Sequence, residues 1–153
     1  MSPVTEPALE LVARLEVLIG EPVDAGATPA GHRRVIPITG GVARGPLITG
    51  EVLPLGADWN AVRADGVASV SARYLVRTGD GTVLTVTNEG SIPADGSAGL
   101  TSPRVEAPVD GPYAWLNDAV LVGTLTPLLG PGRPPAVSLE FHRVRAAGPE
   151  SPL

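Results

Sequence analysis

The apolar positions of this chain recur mostly in steps of two. Leu9, Leu11, Ala13, Leu15, Val17 and Ile19 alternate with Glu10, Val12, Arg14, Glu16 and Leu18. Successive strand side chains point to opposite faces, so the pattern predicts a strand with one buried face. A helix is the rival reading, because Leu11, Leu15 and Leu18 also form a stripe. The clearest local prediction is a hairpin, Ser69–Thr78 and Thr82–Asn88. Val70, Ala72, Tyr74 and Val76 share one face, Ser69, Ser71, Arg73 and Arg77 take the other, and Gly79-Asp80-Gly81 makes the reversal.

The same reading gives strands at Arg33–Thr39, Leu47–Leu53, Leu100–Glu106, Tyr113–Thr126 and Ala136–Val144, with a short extended piece at Asn60–Arg63. Pro37 marks an edge or a bulge, since it lacks a backbone N–H. Gly20–Gly31, Gly40-Gly41, Gly45-Pro46, Pro54–Ala57, Glu89–Ser97 and Pro127–Pro135 read as turns or loops. The expected fold is all-β, a single antiparallel β-barrel of about eight or nine strands, with a β-sandwich as the alternative. The barrel is preferred because closure removes edges, and one of this size just holds a small ligand. Residues 8–145 form the barrel domain, and residues 1–7 and 146–153 are expected to be loose tails.

Composition narrows the function. Nineteen Gly and 17 Pro in 153 residues suit many short strands and not a helical bundle, and 43% hydrophobic residues suffice for a core. A net charge of −5 argues against nucleic acid as a partner. All eleven basic residues are Arg; without Lys there is neither Schiff-base chemistry at a lysine nor a P-loop. The absence of Cys removes thiol catalysis and Cys-based metal sites. With two His and no Ca²⁺-loop spacing, neither a metal nor another cofactor is expected. Gly40-Gly41 and Gly45 lack the strand–helix context of a phosphate loop, and no Gly-x-Ser-x-Gly elbow occurs. No leader or membrane span is expected, so cytoplasmic location is the default and no membrane partner is foreseen; homodimerisation is compatible with the pattern.

The candidate chemistry gathers between Gly50 and Asn88. Asp58 beside Trp59 at a barrel mouth would be partly desolvated, which raises a carboxyl pKa toward general acid or base work; a turn-capping role is the alternative. Glu51 shares strand parity with Leu47, Thr49 and Leu53, and could point inward with Arg73, Asn88 or a tyrosine as a partner. Tyr74 and Tyr113 are the remaining catalytic candidates. Trp59, Arg73, Asn88, Trp115 and Asn117 are the ligand-binding candidates, with Tyr113, Trp115 and Asn117 expected on one strand face and Asn88 at a strand end. Four of the five aromatic residues lie in this set; core filling is the competing explanation. Arg73 could hold a ligand carboxylate or simply be solvated. Glu140 and His142 could form an acid–base pair, and His32 lies in a Gly-rich turn.

Several segments together resemble a family of small bacterial and fungal proteins known as domain of unknown function 3237. They are Gly26-Ala-Thr-Pro-Ala-Gly-His-Arg-Arg-Val-Ile-Pro-Ile-Thr-Gly-Gly41, Gly50-Glu-Val-Leu-Pro-Leu-Gly-Ala-Asp-Trp59, Ala72-Arg-Tyr74 and Tyr113-Ala-Trp-Leu-Asn117. The similarity covers roughly Leu9 to Val144 and implies an antiparallel β-barrel with no settled activity. The chain departs from the pattern in a shortened Asn88–Pro103 segment, in Leu100 or Thr101 where an aromatic is expected, and in His142. The leading functional expectation is a cofactor-free acid/base enzyme of isomerase, lyase or cyclase type, acting on a small metabolite in the barrel mouth. A GC-rich source, suggested by the Ala, Gly, Pro, Val and Arg usage, makes specialised metabolism its setting. The alternatives are a non-catalytic small-molecule carrier and a filled structural barrel.

Overall fold

The structure, a computed structural model, describes residues 5–147. It contains nine strands: β1 (Glu6–Ile19), β2 (Val23–Thr28), β3 (Gly31–Arg44), β4 (Gly50–Val62), β5 (Ala68–Thr78), β6 (Val83–Ile92), β7 (Gly99–Glu106), β8 (Leu121–Leu128) and β9 (Ala136–Ala147). The sheet order is β1-β9-β8-β7-β6-β5-β4-β3-β2, and β1 also pairs with β3 from Arg14↔Arg44 to Ile19↔Ile38. That last pairing closes eight strands into an antiparallel barrel, not a sandwich, and leaves β2 as an extra strand on β3. β1 and β9 reach slightly into the stretches expected to be loose; residues 1–4 and 148–153 lie outside the described residues.

Alternation fills the interior. Leu15 and Val17 of β1, Val70, Tyr74 and Val76 of β5, Leu84 and Val86 of β6, and Leu139 and Phe141 of β9 are all buried. Burial of this apolar surface, at about 25 cal/mol per Å², is the main term holding the barrel shut.

Five expectations need correction. Gly40-Gly41 is not a turn but a corner within β3, where the edge that paired with β2 now pairs with β1 and the register against β4 shifts between Pro37 and Val42. Both glycines have positive φ, and a Cβ on Gly41 would collide with the Glu16 carbonyl, so only glycine passes there. Pro54–Ala57 is a bulge within a continuous β4, whose register against β5 shifts between Val52 and Gly56. The loop expected from Glu89 begins only after Ile92, and the turn-rich Gly20–Gly31 stretch contains β2. Tyr113–Thr126 is not one strand: Ala114–Asp118 is a short 3-10 helix that sends Leu116 into the core before β8 begins.

Candidate functional site

The barrel is plugged unevenly. At one end the 3-10 helix caps it, with Leu116 buried and the Asn117 side chain gripping the Ala107 backbone through both its N–H (2.8 Å) and its carbonyl (3.0 Å). At the other end, reached by Ile92 of β6 and the loops after β1 and β8, a cavity of about 480 Å³ opens. Ile19, Ile36, Val70, Leu125, Pro127 and Leu129 form its apolar wall, and Arg34, Asp58 and Asn60 are its inward polar groups. A recess of about 40 Å³ continues below it, sharing Ile19, Asp58, Val70 and Leu125, and ends at Tyr74 and Asn88. The larger space is of the size that small-molecule sites usually have.

Strand register explains why these groups meet. Ile36, Asp58, Ala72, Asn88 and Pro103 are successive cross-strand partners on β3 to β7. One strand step toward the mouth, Arg34 faces Asn60. Parity therefore puts Arg34 with Ile36, and Asp58 with Asn60, on the inner face.

Asp58 stands where the cavity and the recess meet. Its Oδ1 accepts a hydrogen bond from the Ser71 backbone N–H at 2.8 Å. Burial pushes its carboxyl above the ordinary aspartate range; the Ser71 N–H, the Asn60 amide and the charges of Arg34 and Arg33 pull back without cancelling that. The Asn60 amide is itself oriented, since its Oδ1 accepts from Arg34 Nη2 at 3.0 Å.

Tyr74 and Asn88 are fully inside, and neither the Tyr74 hydroxyl nor Asn88 Oδ1 has a hydrogen-bond partner within the protein. Burial drives the Tyr74 phenol well above its usual range, so it stays neutral and can act only as a hydrogen-bonding hydroxyl. Buried polar atoms without partners are costly, which makes the recess receptive to a hydroxyl or carbonyl group. Asn88 lies within β6, not at a strand end as expected.

The other candidates lie elsewhere. Glu51 points outward, 61% exposed, 3.7 Å from Arg77 Nη1; the inner parity of β4 belongs to Val52, not to Leu53. Trp59, next to Asp58 on the strand, necessarily faces outward and is 49% exposed, so the barrel wall and not the indole desolvates Asp58. Arg73 lies on the outer face in a shallow depression with Thr85, Thr87 and Arg104. Tyr113, Trp115 and Asn117 belong to the capped end; the Trp115 ring lies 4.8 Å from Arg143 Cζ. Of the nine candidates, the structure brings together Asp58, Tyr74 and Asn88. Arg34 and Asn60 were not among them, although Arg34 shares parity with Ile36 and Ile38, and Asn60 stands two residues from Asp58.

Glu140 and His142 are 3.6 Å apart, but Glu140 also pairs with Arg14 at 3.0 Å on the outer wall. His32 is bonded to Asp24 at 2.8 Å. Among the described residues no three His, Asp or Glu side chains gather as a metal site requires, and no helix is long and apolar enough to cross a membrane.

Comparison with known proteins follows this geometry closely in fold. The family model described as "Protein of unknown function (DUF3237)" matches residues 7–144. A UPF0311 protein of Bradyrhizobium diazoefficiens is 44% identical over 72 residues, 47% of this chain and 47% of its own, so the match spans about half that relative's length. A hydroalkoxylation enzyme of Penicillium herquei is 29% identical over 120 residues, 78% of this chain and 75% of its own. A protein of unknown function from Rhodopseudomonas palustris superposes with a TM-score of 0.78 at 31% identity, covering 94% of this chain and 100% of its own. An enzyme from Penicillium herquei superposes with a TM-score of 0.71 at 23% identity, covering 95% and 97%, and shares the fold.

Proposed function

We propose a function for a chain that belongs to the family described as protein of unknown function, DUF3237: cofactor-free proton-transfer catalysis on a small organic molecule bound in the barrel mouth. One observation carries the reading. Asp58 is a desolvated carboxyl at the junction of an apolar cavity and a recess that ends in two unpartnered polar atoms. Filling the cavity with an apolar ligand displaces more water and raises the Asp58 pKa further, toward neutral pH where acid–base catalysis is most effective.

The reaction type we favour is an internal addition of a hydroxyl across a carbon–carbon double bond. It draws support from the hydroalkoxylation enzyme that is 29% identical to this chain. The acid form of Asp58 gives its proton to one alkene carbon. The substrate's own hydroxyl oxygen bonds to the other carbon, and the proton it sheds returns to the Asp58 carboxylate. The π bond and the O–H bond are lost, a C–O and a C–H bond form, and the product is an isomer. In this mechanism Tyr74 donates to, and Asn88 Oδ1 accepts from, oxygen groups of the substrate, while the Ser71 N–H fixes the carboxyl rotamer.

The test uses ortho-prenylated phenols in buffered D2O, followed by mass spectrometry and NMR. The expected product is isomeric with the substrate except for one carbon-bound deuterium. Asp58→Asn should lower the rate by at least about 10²-fold while binding persists. Leu125→Trp, which fills the cavity, should abolish binding in a folded barrel. Full turnover by folded Asp58→Asn would exclude this mechanism. Stoichiometric binding without product across the panel would favour a carrier.

A further inference from the structure

Among the described residues, Arg34 is the arginine turned toward the cavity, and the protein leaves its bonding incomplete. Its Nη2 donates to Asn60 Oδ1 at 3.0 Å, but its Nε–H is sealed from solvent and meets no acceptor. Six other arginines, Arg14, Arg63, Arg77, Arg133, Arg143 and Arg145, are each within 4.0 Å of a carboxylate; among the described residues Arg34 makes no such pair, nor do Arg33, Arg44, Arg73 and Arg104, but of these five Arg34 alone has a buried nitrogen without a partner. A guanidinium cannot shed its charge to escape this, because it stays protonated at any pH a protein tolerates. The cheapest remedy is an acceptor brought by a ligand, and an anionic one gains most.

The surroundings agree. Glu21 stands exposed on the rim of the same cavity, and Asp58, Asn60 and Arg34 are the polar side chains further in; the rest of the wall is apolar. Arg33, the neighbouring cation, points away and donates to the Trp59 carbonyl at 3.0 Å. Arg34 and Asp58 belong to adjacent inner levels, so a molecule anchored at one reaches the other.

We propose that the cavity takes a molecule with an anionic oxygen, a phenolate, enolate or carboxylate distinct from the hydroxyl that adds to the alkene, held by Arg34 at the mouth while its apolar body extends past Val70 and Leu125 to Asp58. This rests on the functional reading above for the identity of the site, but it concerns binding alone. Arg34 is thereby the residue that selects and orients the ligand, and Asn60 holds its guanidinium in place.

Binding is measured by calorimetry on the full chain with three probes matched in their apolar body: naphthoate, nitronaphtholate and the neutral naphthamide. Wild type should prefer at least one anion over naphthamide by about tenfold or more. A preference for naphthoate identifies a carboxylate as the natural group, and one for nitronaphtholate identifies a phenolate or enolate. Arg34→Gln should erase the preference and Arg34→Lys should keep part of it, with thermal melts confirming that both fold. Asp58→Asn should retain it, so a failure of catalysis at Asp58 leaves this result intact. Equal affinity of wild type for all three probes, no binding of any, or a preference that survives in folded Arg34→Gln would overturn the inference.

Discussion

Asp58 owes its character to neighbours that are mostly silent in sequence. It was legible as a candidate acid, but for a partly mistaken reason: Trp59 is adjacent in the chain and yet on the opposite face. Its raised carboxyl has a consequence for stability. A group whose folded pKa lies above its unfolded value favours the folded state while protonated, and that contribution is lost as pH rises through the folded value. Below the ordinary aspartate value of 3.8 the contribution is whole; above the raised value the buried charge is a net cost. Asp58→Asn keeps an oxygen for the Ser71 N–H and removes that charge. Thermal melts should therefore show the variant gaining on wild type between roughly pH 3 and pH 7. A difference that stays constant across that range would mean the carboxyl is not desolvated. Arg34 and Asn60 were missed for a related reason: a polar residue between turn signals looks solvated until strand pairing shows which wall it stands on.

Among the elements, β4 decides the site. Its bulge between Val52 and Gly56 shifts the register against β5, so that Asp58 stands opposite Ala72 of β5 and Ile36 of β3. Gly56 has φ +105°, and a Cβ there would run into the Arg73 carbonyl. Gly56→Ala should cost about 2–4 kcal/mol in urea unfolding and weaken ligand binding together with it. Gly79→Ala, in a hairpin turn with open space around it, should change stability by less than about 0.5 kcal/mol. Equal effects at the two glycines would remove the role given to the bulge. The hairpin of β5 and β6 was legible because one alternation ran uninterrupted into a Gly-Asp-Gly turn. The Tyr113–Asn117 segment was not, since over five residues a period of two and a period of three are hard to separate. The hydrogen bonds from Leu116 N–H to the Tyr113 carbonyl (3.0 Å) and from Ala119 N–H to the Leu116 carbonyl (3.2 Å) show which one folding chose.

For the whole molecule, closure is what matters. Pairing of β1 with β3 turns a sheet into a cylinder, and that closure encloses the Asp58 carboxyl in a wall that is mostly apolar. The barrel was readable from strand spacing and glycine content, but its uneven plugging was not, because that depends on which loop folds back over which end. Every proposal made for the cavity depends on this enclosure. It is tested most directly by following the carboxyl carbon of Asp58 by NMR as pH is varied, with Asp24, Asp65, Asp80 and Asp95 as internal references. Those four exposed carboxyls are held below the ordinary aspartate value by nearby hydrogen-bond donors. Asp58 is expected to titrate last among the five as pH rises, and later still once an apolar ligand is bound. Titration of Asp58 together with the other four, unchanged by ligand, would contradict the account.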